Sequence, residues 1–132
     1  MANLIYPKAK EAMLQGNLDL SGGTVKAVLV DTADYTYNAA HDNLDDVIAG
    51  ARVGTAVTLT GKTFTNGLFD ADNVTLTSVS GDQSEAVLIY IDTGVESTSQ
   101  LVALLDTGTG LPVTPNGGNI NFNWNGSGIF QL

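Results

Sequence analysis

The sequence predicts an all-β protein, a single β-sandwich with a short N-terminal helix, and three observations predict it. Short apolar runs recur along the chain, each about the length of a strand. Turn residues separate them, at Gly22-Gly23, Asn66-Gly67, Ser80-Gly81-Asp82-Gln83 and Asn116-Gly117-Gly118. No helical repeat stands between the strands, which argues against the alternating order of a parallel α/β fold. The chain has 132 residues, enough for one domain that buries roughly two-thirds of the surface its unfolded form exposes. Residues 1–20 read as an N-terminal segment making an intersubunit contact, and residues 21–132 as the sandwich, of which a jelly roll is one form.

Pro7 opens a segment that ends at Gly16, with Ala9, Ala12 and Met13 on one thin apolar stripe, so residues 7 to 15 read as a helix that must dock to persist. Thr24 to Asp31 carries Val25, Ala27 and Leu29 on one face and Val28 and Val30 on the other, the pattern of a central strand. From Tyr35 to Gly54 the alternation breaks. A turn or two of helix is expected at Asp42 to Ile48, with Asp42 as N-cap, inside a long connection of the kind that carries binding surfaces.

Thr55 to Thr60 alternates with Thr outward; Lys62 to Thr65 and Leu68-Phe69 read as a hairpin around Asn66-Gly67. Asn73 to Val79 places Val74, Leu76 and Val79 inward, and Glu85 to Asp92 is a strong strand. Val95 to Ser99 connects it to Gln100 to Asp106. After a loop with Pro112 and Pro115, Asn119 to Asn125 alternates Asn with Ile120, Phe122 and Trp124, and Ile129-Phe130 closes the sheet.

Fourteen acidic residues against five basic ones make a net charge of -9, which repels nucleic-acid phosphates and excludes them as an expected partner. The charged fraction is 14%, low beside the roughly 25% of ordinary domains. A surface of hydroxyls and amides is cheaper to bury against neighbours than a charged one. There is no cysteine, and the N-terminus lacks the apolar core of a signal peptide. No apolar run approaches a membrane span. Synthesis in the cytoplasm, with no membrane partner, is the expectation.

Strands end in Asp31-Thr32-Ala33, Asp92-Thr93-Gly94 and Asp106-Thr107-Gly108. Paired Asp-Thr-Gly triplets occur in aspartic proteases, where two aspartates share a proton. Here Val95 and Thr109 follow where those enzymes place Ser or Ala, so each Asp reads as a strand-ending Asx-turn. His41 is the one histidine, and no nucleophile elbow, zinc-binding helix or phosphate loop occurs. No enzyme activity, catalytic residue, metal or cofactor is expected. Asp42, Asp45, Asp46, Asp70, Asp72 and Asn73 supply oxygen that calcium takes, but read more simply as solvated turns.

Asn3 to Glu11, Val28 to Tyr35, Ser80 to Gln83 running on to Ile89 through Gly94, and Pro112 to Gly118 together resemble a group of small virion proteins of tailed bacteriophages. The resemblance covers nearly the whole chain. It implies a decoration or cement protein on the outer capsid surface, oligomeric, with a trimer as one form, that bridges and stabilises subunits of the major capsid protein. Leu4, Ile5, Tyr6, Lys8 and Lys10 are the expected contacts with a neighbour. Two other roles compete: a tail or tail-fibre accessory protein, and a carbohydrate or host-surface binding module using residues 34 to 54 with Tyr35 and Tyr37.

Overall fold

The computed structural model describes residues 4–106, 111–124 and 128–132. Its elements are β1 (Leu4–Ile5), α1 (Pro7–Leu14), β2 (Thr24–Val30), β3 (Arg52–Thr58), β4 (Leu68–Phe69), β5 (Val74–Leu76), β6 (Ala86–Asp92), β7 (Leu101–Leu105), β8 (Ile120–Phe122) and β9 (Phe130–Gln131). The fold is mostly antiparallel β-structure with one short helix, sandwich-like in its layering. A five-stranded sheet in the order β1-β7-β6-β2-β3 forms the centre, and the pairs β4-β9 and β5-β8 form two short ribbons. Those ribbons, rather than the second full sheet of a jelly roll, make the facing layer.

Period-two alternation explains why the central sheet is buried on both faces. On the front, Val25, Ala27, Leu29, Val87 and Ile89 meet Phe69, Leu76, Phe122 and Ile129 from the ribbons. On the back, Val28, Val30, Leu88, Tyr90 and Leu104 meet Tyr6, Ala9, Tyr35, Leu44 and Val47. The back layer is thus α1 together with the long connection between β2 and β3. That connection, expected to present a binding surface, covers the sheet with Tyr35, Leu44, Val47 and Ala51 and leaves Ile48 exposed.

Two bulges adjust the pattern. Between β6 and β7 the register shifts at Ile89/Tyr90, which pair with Ala103 and Leu101 and leave Val102 unopposed. Val102 and Ala103 therefore both face the front core while Leu101 and Leu104 face the back. Between β2 and β3 the shift lies beside Gly54, whose φ is 78° and whose absent side chain would stand 3.1 Å from Val79 Cγ1. A glycine meets both demands.

Most expected strands occur, with shifted ends. β3 starts at Arg52 rather than Thr55 because the Gly54 bulge continues the ladder instead of breaking it. Lys62 to Thr65 is reduced to one bridge, Thr63 to Asp70, and β4 pairs with β9 instead of folding back on that segment. Asp42 does not cap the turn at Leu44–Asp46; Asn43 occupies that position, and the Asp46 carboxylate accepts the Asp42 amide at 2.9 Å. Asn125 and the Thr107-Gly108 pair lie outside the described residues, as do the first residues of the N-terminal segment.

The rest of that segment is built into the sheet rather than standing apart from it. Leu4 and Ile5 pair with Leu104 and Ala103, and the Tyr6 amide continues the ladder to the Val102 carbonyl at 2.9 Å. Tyr6 is 0% exposed. The helix needs this dock, since nothing else would hold an isolated segment of its eight residues.

Candidate functional site

Antiparallel pairing gathers the end of β2, the start of β6 and the end of β7 at one edge of the central sheet, where Val30 pairs with Ala86 and Val87 with Leu105. The residues just past those ends are acidic: Asp31, Glu85 and Asp106. Loop residues Asp34 and Asp82 join them, and carboxylate oxygens of Asp31, Asp34 and Asp82 lie within 4.8 Å of one another. A pocket of about 390 Å³ opens beside them, lined by Thr32, Tyr35, Thr36, Tyr37, Glu85 and Asp106.

Local hydrogen bonds hold this edge in shape. Glu85 Oε1 accepts the Thr32 amide at 2.9 Å and the Thr32 hydroxyl at 3.0 Å, tying β2 to β6 beyond their last paired residues. Asp31, 7% exposed, accepts the Ala33 amide at 2.9 Å. Asp34 and Asp82 face water, which solvates their charge, and the cluster by itself assigns no ion. The pocket offers acceptor oxygens, hydroxyls and the half-buried Tyr37 ring, a lining suited to a ligand rich in hydroxyl groups.

Behind the pocket runs a buried polar chain. The Tyr6 and Tyr35 hydroxyls are 2.9 Å apart, and the Tyr35 hydroxyl is 2.8 Å from His41 Nδ1. The Tyr37 ring packs on Tyr6 at 5.3 Å. Burial, reinforced by the Tyr35 hydrogen bond, pushes the Tyr6 phenol far above its ordinary range, and burial also raises Tyr35. Both hydroxyls stay protonated at neutral pH and act as a bridge between α1's approach strand and the long connection.

The residues expected from the sequence scatter differently. Tyr6 and Tyr35 are core rather than contact surface, because their rings fill the back layer. Leu4 and Ile5 are half-buried on the edge strand, Lys8 pairs with Glu11 at 3.6 Å, and Lys10 is exposed. Only Tyr37 of the two loop tyrosines reaches a pocket while keeping exposed surface. None of the oxygens weighed for calcium belongs to the acidic group at the sheet edge. Asp46 caps a turn, Asp70 accepts the Ala71 amide at 2.9 Å, Asp72 accepts the Thr60 hydroxyl at 3.4 Å, and Asn73 accepts the Trp124 amide at 3.0 Å.

Strand direction separates the two Asp-Thr-Gly aspartates. Asp92 ends β6 opposite Thr24, while Asp106 follows β7 at the other end of the sheet, about 20 Å away at the usual rise per residue. They cannot share a proton. Asp92 Oδ1 instead accepts the Gly94 amide at 3.0 Å, with Gly94 at φ 86°, the Asx-turn its sequence implies.

Asp92 also meets Lys26 at 3.1 Å, and the Gly94 amide first and Lys26 second hold its carboxyl below the usual carboxylate range. A depressed native pKa means that the unfolded chain takes up the proton first as pH falls. The Asp92 contribution is therefore complete above about pH 4, the ordinary carboxylate value, and lost progressively below it. Urea unfolding at pH 7 and pH 3 should show the wild type losing more midpoint than Asp92→Asn. Equal losses in the two proteins would remove Asp92 as a source of acid sensitivity.

No family model matches this sequence, and no curated protein matches it significantly.

Proposed function

We propose that this chain is a virion structural protein of a tailed bacteriophage, a decoration or cement subunit on the outer capsid surface that bridges and stabilises major capsid subunits. The observation that carries this reading is the resemblance along nearly the whole chain. Supporting it, a sheet packed on both faces makes a rigid body, and the weakly charged surface is inexpensive to bury between neighbours. The reading is non-enzymatic: the one histidine is turned toward the Tyr35 hydroxyl, and Asp92 and Asp106 stand at opposite ends of the sheet.

Homo-oligomerisation and contact with the major capsid protein follow from this role, since many weak contacts add through effective concentration. Lys8 and Lys10 on the exposed side of α1 are the N-terminal residues still available for such contact. Cryo-electron microscopy of the parent virion tests the proposal. Regular density for this chain over the head is the expected result. Density confined to the tail would replace it with the tail-accessory role, and absence from the virion would overturn both.

The pocket with Tyr37 favours one second reading, a carbohydrate-binding module. Glycan-array binding that disappears in Tyr37→Ala would establish it, and an empty array would remove it.

A further inference from the structure

Two grooves flank the C-terminal half of α1 and share Met13 and Leu132 as their common wall. One is completed by Lys10 and Leu14, the other by Leu18, Asp19, Leu20, Ser21 and Phe64. Together they make one apolar surface, on which Leu14 is 90% exposed and Leu132 66%. Scattered exposed apolar side chains are ordinary, whereas a contiguous patch marks an interaction surface.

The charges at its two ends point to the occupant. Lys10 borders one end and Asp19 the other, with Met13 and Leu132 between them. Among the described residues, Lys8, Lys26 and Arg52 have carboxylate partners, and Lys62 donates to the Leu20 and Gly23 carbonyls at 2.8 Å. Lys10 alone of the basic side chains has no such partner. The Ser21 hydroxyl first, then the amides of Gly22 and Ser21, hold the Asp19 carboxyl below the usual carboxylate range, with the nearby Lys62 ammonium adding least.

A surface with a cation at one end, an anion at the other and an apolar middle is complementary to itself when turned through 180°. We infer that a second copy of this chain docks on it across a two-fold axis. Leu14, Met13 and Leu132 then meet their counterparts at the centre, and each Lys10 faces the partner's Asp19. Such a contact is isologous and closes as a pair, whereas a trimer requires a head-to-tail contact. The inference stands independently of the capsid role.

The test is sedimentation equilibrium of the full chain at about 0.15 M salt, where the repulsion between two net charges of -9 is screened beyond roughly 8 Å. The expected species is a dimer. Leu14→Lys alters a side chain that makes almost no contact within the chain and reduces the repulsion between copies, yet should leave a folded monomer. Lys10→Asp should weaken pairing about tenfold or more by setting like charges together, and the swap Lys10→Asp with Asp19→Lys should recover it. A wild type that is monomeric at 200 μM on the order of a weak dimer's dissociation constant, a trimer mass, or a dimer unmoved by Leu14→Lys would each overturn the inference. Unchanged circular dichroism in Leu14→Lys shows that the fold survives.

Discussion

Removing residues 2–16 should unfold the whole protein rather than release a stable sandwich. The deletion takes away β1, the Tyr6 ring and the Ala9 contact, and it uncovers one side of Leu101 and Leu104 on β7. Truncating one buried aromatic side chain alone costs about 3–5 kcal/mol, and domains of this size hold about 5–15 kcal/mol in total. The shortened chain should show no cooperative melt. A cooperative transition with native near-ultraviolet dichroism would show instead that the segment is dispensable. Tyr6→Phe separates packing from hydrogen bonding: it keeps the ring and loses one hydroxyl contact, at about 1 kcal/mol, while Tyr35 keeps His41. A consequence for the capsid proposal is that deletion cannot test a contact role for this segment, and surface substitutions at Lys8 and Lys10 must do so.

Leu88→Ala should be the most damaging of conservative core changes. Leu88 is 0% exposed, sits on the middle strand of the five-stranded sheet and faces the layer formed by α1 and residues 35–51. Leu-to-Ala changes at such positions cost about 2–5 kcal/mol, more where the surroundings cannot collapse into the gap. Here strands flank the site on both sides and a docked layer covers it, so the upper half of that range is expected. Urea unfolding measures it through the midpoint at constant slope. A loss below about 0.5 kcal/mol, the range of surface changes, would mean that the back face of the sheet is open to water.

That back face is where reading the sequence stopped short. Val28 and Val30 opposite Val25, Ala27 and Leu29 already mark β2 as central, so a cover on each face is implied. The cover itself is not legible, because Leu44, Val47 and Ala51 carry a helical spacing but stand on two short turns, and only the folded path of the chain brings them together with Tyr35 over the sheet. The β4-β9 pairing was missed for a related reason. Asn66-Gly67 is a sound turn signal, with Asn66 at φ 56°, but a turn says where the chain reverses and not which strand it meets afterward.

The acidic edge was hidden in the same way. Asp31, the neighbours Asp82 and Glu85, and Asp106 lie far apart along the chain, and they converge because β2, β6 and β7 are antiparallel neighbours. The recurring Asp-Thr endings of β2 and β7 were the available signal, and strand direction would have placed those two together and Asp92 apart.

By itself, the sequence determined the all-β class, a helix opening at Pro7 and ending before Gly16, the positions of the strong strands, the Asx-turn at Asp92 and the inward side chains Val74, Leu76, Phe122 and Trp124. These rest on local physics: side-chain alternation, proline and glycine geometry, and hydrogen bonds spanning a few residues. Tertiary structure alone decided that Tyr6 and Tyr35 are core, that Leu4 and Ile5 form a sheet edge, that five acidic groups share one end of the molecule and that an apolar patch lies between Lys10 and Asp19. Those outcomes depend on which distant segments meet, and that is set by the burial of the whole chain, a quantity no local window contains.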